Sequence, residues 1–167
     1  MEQKKATEIL KTAILLEKRG KAFYSTVAKQ TQSKAVKEIF STLAEEEDAH
    51  IEFLSKQFSH YEKNQQFLKN ELKPRADETE VNRILSEELK KEIGAADYEA
   101  AAISAAIEFE NRAIETYSKR AEEAEDANEK EMYEMLADWE RTHHKLLHRM
   151  NEELKEDIWF DNKFWPF

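Results

Sequence analysis

Leu43-Ala44-Glu45-Glu46-Glu47-Asp48-Ala49-His50 and Leu136-Ala137-Asp138-Trp139-Glu140-Arg141-Thr142-His143 align without a gap at a shift of 93 residues. Both octapeptides begin Leu-Ala and end in Glu-x-x-His. Thirty residues before each Glu-x-x-His stands another Glu, Glu17 in the first half and Glu110 in the second. Seven residues after that Glu comes a Tyr, Tyr24 or Tyr117. One Glu-x-x-His is a weak signal in a chain with 36 acidic residues, but two copies with all three internal intervals identical are a strong one. The repeat supplies four carboxylates and two imidazoles, the ligand set of a dinuclear metal site inside a four-helix bundle.

The chain around these motifs reads as helix. Only two Gly and two Pro interrupt 167 residues, and Ala, Glu, Lys and Leu dominate; such residues lose little rotamer freedom on a helical backbone. From about 6 to 30, Ile9, Ala13, Leu16, Gly20, Phe23 and Val27 recur at helical spacing. Gln30 to Ser33 reads as a turn, with Ser33 as N-cap of a second helix that ends between His60 and Lys63. Lys73-Pro74-Arg75 breaks the pattern that follows. A short helix is expected from about Glu80 to Ile93, closed by Gly94. Asp97 is a candidate N-cap for a third helix running to about Ala124, and a fourth is expected over Glu129 to Lys155. The fold class is therefore all-α: two helical hairpins joined by a long crossover, with the bundle over residues 1–155 and an aromatic tail over 156–167.

The turn midpoints convert the repeat into a site. The midpoint of Glu17 and Glu47 is residue 32, and that of Glu110 and Glu140 is residue 125; both fall in the expected turns. Residues equidistant from an antiparallel turn lie at one height, about 20 Å into each helix at 1.5 Å per residue. His50 and His143 follow their Glu by one turn on the same face, and Tyr24 and Tyr117 follow theirs by two. The candidate metal ligands are thus Glu17, Glu47, His50, Glu110, Glu140 and His143. Tyr24 and Tyr117 are candidates to hydrogen-bond ligand carboxylates, with plain core aromatics as the alternative. Glu45 and Glu46 adjoin Glu47 but point to other helix faces. His60, His144 and His148 lack the interval and read as surface residues. Gly20 beside Glu17 has two readings: room for a metal, or a close helix–helix contact.

Composition excludes several classes. Without Cys there are no disulfides, zinc–thiolate sites, iron–sulfur clusters or thiol nucleophiles. A net charge of −10 disfavours nucleic acid as a partner. No apolar run approaches a membrane span and the N-terminus has no signal region, so a cytoplasmic protein is expected. Four buried carboxylates demand compensating positive charge, which two divalent ions provide. Oxygen-rich ligands with one imidazole per metal suit iron or manganese, with zinc a common substitute. Trp159, Phe160, Phe164, Trp165 and Phe167 form either a clamp over a bundle end or a subunit contact.

The segments Ala13 to Tyr24, Leu43 to His50, Ala106 to Tyr117 and Leu136 to His143 resemble the rubrerythrin-like branch of the ferritin-like superfamily. The resemblance spans both hairpins, roughly residues 6–62 and 97–154. It implies two iron ions, with Glu47 and Glu140 bridging or chelating, Glu17 and Glu110 terminal, and one His per iron. It also implies reduction of hydrogen peroxide or dioxygen through diferrous–diferric cycling, as in oxidative-stress defence. Typical members carry a further Glu three residues after the third-helix Glu, where this chain has Ala113. They also carry a rubredoxin domain, which this sequence lacks, so a peroxidase of this kind needs a separate electron-donor protein. Iron oxidation with storage, as in bacterioferritin, is the first alternative, and a non-catalytic metal-stabilised interaction module the second. A homodimer or small homo-oligomer is expected.

Overall fold

The computed structural model describes the backbone of residues 2–69 and 97–161. Four helices occupy them: α1 (Glu2–Gln30), α2 (Lys34–Asn64), α3 (Asp97–Glu123) and α4 (Ala127–Asp161). The expected short helix over 80–93, its Gly94 terminus and residues 162–167 lie outside the described residues. Three helices are longer than the sequence pattern suggests, and α4 continues to Asp161, so the tail begins as helix.

α1 pairs with α2 and α3 with α4 as two hairpins. Ser33 caps α2 as expected: its extended backbone leaves Oγ to accept the Val36 N–H at 3.2 Å. In the second turn Asp126 Oδ1 accepts the Asn128 and Glu129 N–H groups, both at 2.9 Å. α2 ends at Gln65, whose left-handed backbone (φ 56°) returns its N–H to the Tyr61 carbonyl. These local bonds satisfy helix-end groups that would otherwise face no partner.

The two turns lie at opposite ends of the bundle. Tyr98 at the start of α3 donates to Gln30 Oε1 at 2.9 Å, and Thr31 Oγ1 donates to Glu99 Oε1 at 2.5 Å, so α3 begins beside the first turn. Asn128 Nδ2 donates to the Phe67 carbonyl at 3.4 Å, which puts the end of α2 beside the second turn. The end of α2 and the start of α3 therefore lie at opposite ends of the bundle, the arrangement of a bundle whose hairpins are joined by a long crossover.

The buried lines of the helices obey the 93-residue shift. On α1 the innermost line is Leu10, Ala13, Glu17, Gly20 and Tyr24, and on α3 it is Ile103, Ala106, Glu110, Ala113 and Tyr117. Counting apolar residues alone sets the α1 stripe partly on Ile9, Leu16 and Phe23, which are only half-buried. The carboxylate and the phenol occupy the true centre line, where a hydrophobicity count does not look.

Apolar layers close both ends of this polar level. One contains Val27, Ile39, Phe40, Leu43, Ile103, Leu147 and Met150. The other contains Leu10, Phe53, Leu54, Met132, Tyr133 and Leu136. Each fully buried side chain of this size contributes about 1.5–3 kcal/mol, so the two layers supply the stability against which a polar centre is tolerated. Ser33→Ala removes the cap at the first turn and is expected to cost about 1 kcal/mol, read as a lower urea midpoint at unchanged m-value.

Candidate metal centre

All six expected ligands meet at mid-height. Glu17, Glu47, His50, Glu110, Glu140 and His143 come from four helices, and none is more than 4% exposed. They form two groups, Glu17–Glu47–His50–Glu140 and Glu47–Glu110–Glu140–His143, in each of which one donor atom per residue lies within 4.8 Å of the others. Glu47 and Glu140 belong to both.

The oxygen placement explains the sharing. His50 Nδ1 lies 3.0 Å from Glu17 Oε2, 3.3 Å from Glu140 Oε1 and 3.7 Å from Glu47 Oε2. His143 Nδ1 lies 3.2 Å from Glu140 Oε2, 3.4 Å from Glu110 Oε1 and 3.6 Å from Glu47 Oε1. Each shared carboxylate thus turns one oxygen toward each imidazole, whereas Glu17 faces only His50 and Glu110 only His143. Two cation positions bridged by Glu47 and Glu140 fit this arrangement.

Unsatisfied atoms make the same point. Glu47 Oε1, Glu110 Oε2, Glu140 Oε1 and His143 Nδ1 are buried without a hydrogen-bond partner among the described residues. Orphaned buried acceptors are costly, at about 1–3 kcal/mol each and more for charged groups. A metal ion satisfies several of them at once.

The two tyrosines act across the hairpins. Tyr24 on α1 donates to Glu110 Oε1 on α3, and Tyr117 on α3 donates to Glu17 Oε1 on α1. Both phenols are fully buried. Burial, followed by the negative charge of Glu110, pushes the Tyr24 hydroxyl well up, so it remains a donor. Each phenol engages one oxygen of a terminal carboxylate.

The electrostatics of the metal-free cluster divide the carboxylates into two pairs. Burial, then the charge of Glu140, raises Glu17 well above 4.5 and Glu110 to about 8. Burial also pushes Glu47 and Glu140 up, but the adjacent His143 and His50 imidazoles outweigh it and hold both below 4.5. Both imidazoles rise well above 6.5: burial lowers them, but the adjacent carboxylates of Glu140 and Glu17 overcome this at His50 and those of Glu110 and Glu140 do so at His143. At mildly acidic pH the cluster therefore neutralises itself with protons on the two His and the two terminal Glu. The proton count is about four, the charge of two divalent ions.

Two neighbours of the cluster are not evident from motif spacing. Glu46, expected on another helix face, extends its carboxylate to His143 Nε2 at 2.6 Å. Trp139 stacks on His50 with ring centroids 4.6 Å apart and planes 7° apart. Gly20 resolves its two readings together: a Cβ there would lie 2.9 Å from Phe109 Cε1 and 3.2 Å from Glu47 Cδ. The close approach is both a helix–helix contact and space for a shared carboxylate. Ala113, where typical relatives are expected to carry a seventh ligand, is buried and offers no donor. His60 and His144 are half-buried and His148 is exposed, and none joins the cluster.

The fold and the site define a four-helix bundle whose centre is lined by buried carboxylates and histidines that could hold metal. The family model for rubrerythrin matches residues 8–151, and the chain belongs to the rubrerythrin family. A solved structure of a hypothetical protein from Pyrococcus furiosus is similar over 90% of both chains, with 29% sequence identity and a TM-score of 0.64. No curated protein matches the chain.

Two outcomes follow for the purified protein. Gly20→Ala gains helix propensity of up to about 1 kcal/mol but presses on Glu47, so metal affinity in a calorimetric titration should fall about tenfold or more. The second concerns pH. Glu17 and Glu110, with raised values, stabilise the metal-free fold below 4.5, and that contribution is lost as pH rises through their folded values, about 8 for Glu110. The two His behave likewise above 6.5, whereas Glu47 and Glu140 lose their contribution only as pH falls below 4.5. The melting temperature of the metal-free protein should therefore decline from pH 5 to pH 8, and metal loading should remove the decline.

Proposed function

We propose that this protein is a di-iron oxidoreductase that reduces hydrogen peroxide or dioxygen in defence against oxidative stress. The observation that carries the reading is the pair of four-residue groups overlapping at Glu47 and Glu140. In this reading Glu17 and His50 would hold one iron and Glu110 and His143 the other, with Glu47 and Glu140 available to both. Membership of the rubrerythrin family and a donor set of carboxylate oxygens with one imidazole per position both favour iron.

A bound pair of redox-active ions supplies two Lewis-acidic centres and two electrons to one oxidant. The chain's own residues set the conditions. Tyr24 and Tyr117 keep Glu110 and Glu17 from rotating, because each phenol holds one carboxylate oxygen. The apolar layers on either side exclude bulk water from the reacting level. A cavity of about 460 Å³ is lined by Glu8, Thr12, Ala13, Thr116, Tyr117 and Tyr133, and Tyr117 is the residue that bonds Glu17. It is large enough for a small oxidant to approach.

Reduction of peroxide to two waters consumes two electrons and two protons. In this reading a separate donor protein supplies the electrons, and the chain acts as a homodimer or small oligomer. No helix among the described residues is long and apolar enough to cross a membrane, which agrees with a cytoplasmic setting.

Protein loaded anaerobically should take up two Fe(II) per chain, and one equivalent of peroxide should then produce a diferric absorption band. Glu47→Ala removes a ligand from both positions and should reduce the stoichiometry below two. Unchanged stoichiometry in that variant rejects the ligand assignment; two bound irons that fail to oxidise reject the enzyme.

A further inference from the structure

The two halves of the centre match at every ligand but not behind the imidazoles. Position 46 corresponds to position 139 under the 93-residue shift, and the residues there are Glu46 and Trp139. Glu46 Oε2 lies 2.6 Å from His143 Nε2, and the imidazole is buried while the carboxylate is half-exposed. An acceptor at this distance requires that Nε2 carry the proton. In the neutral ring, the form that can bind a metal, the lone pair is then on Nδ1, the atom that faces Glu47, Glu110 and Glu140. Glu46 on α2 therefore fixes both the tautomer and the ring angle of a ligand on α4.

His50 has no such support. The indole of Trp139 lies flat against it, and indole has a donor but no acceptor. Among the described residues His50 has a hydrogen bond only at Nδ1, to Glu17 Oε2 at 3.0 Å, and Trp139 Nε1 is itself buried without a partner. Stacking restrains the plane of the His50 ring but does not select its tautomer or raise its basicity.

We infer that Glu46 is a positioning residue for His143, and that it makes the two metal positions unequal so that the one at His143 fills first. The inference rests on the two-metal reading above. Loss of an outer carboxylate partner of a ligating His costs roughly 10–100-fold in metal affinity. That range sets the expected gap between the two positions.

Anaerobic Co(II) titration of the full chain tests this by calorimetry and by the visible d–d spectrum, without reference to turnover. The wild-type protein should bind two Co(II) in steps separated by at least about tenfold. His143→Ala should abolish the tighter step and His50→Ala the weaker one. Glu46→Ala should weaken the tighter step roughly 10–100-fold, bringing the two together, while Glu46→Gln, which keeps a carbonyl acceptor, should restore most of the separation. Glu46→Gln keeps an acceptor for the buried imidazole and should hold the wild-type melting temperature without metal, whereas Glu46→Ala leaves His143 Nε2 unpaired and should lower it. Two equal steps in the wild type, or a tighter step that survives Glu46→Ala unchanged, overturns the inference and leaves the two-metal reading intact. Failure to bind two Co(II) at all overturns both.

Discussion

Four carboxylates and two imidazoles at one level of a four-helix bundle impose the constraint on which the rest of the structure depends. Glu17, Glu47, Glu110 and Glu140 are each 2% exposed or less. Without compensation, like charges so placed repel strongly and some must take up protons. The metal-free cluster does this, leaving Glu47 and Glu140 ionised between protonated imidazoles while Glu17 and Glu110 retain protons. Two divalent cations would carry the same charge as those protons. Other features support this level: apolar layers above and below, phenols that tie each hairpin to the other, and a glycine that leaves room for a shared carboxylate.

The two hairpins behave as near copies, and their differences are informative. Ligands, tyrosines and core positions follow the 93-residue shift closely, down to Phe40 with Tyr133 and Leu43 with Leu136. The exceptions surround the centre: Gly20 faces Phe109, Ala113 stands where Gly20 would repeat, and Glu46 and Trp139 occupy matched positions with opposite chemistry. The 93-residue repeat carries the ligand frame, and the two halves differ at these few positions around it.

Much of this was legible in the sequence because helical geometry is regular. The intervals of 3, 7 and 30 residues, with turns at 32 and 125, require the ligands to share a face and a height. Side chains that reach out of that register were not legible. Spacing puts Glu46 on another face of α2, yet its three-carbon reach brings the carboxylate to His143. The pairing of Tyr24 with Glu110, and of Tyr117 with Glu17, depends on how one hairpin lies against the other, which no interval within a hairpin encodes. The stripe on α1 was displaced by one residue because polar ligands occupy the innermost line. Helix ends were underestimated at α4 because the aromatic run beginning at Trp159 breaks the period without breaking the helix.

The central claim is that Glu47 and Glu140 each hold two cations. A crystal of Fe(II)-loaded protein measured on either side of the iron absorption edge tests it directly. The account predicts two anomalous peaks per chain, about 3.5–4 Å apart, both within coordination distance of Glu47 and Glu140, one beside His50 and the other beside His143. A single peak, or two peaks that do not share those carboxylates, would contradict it.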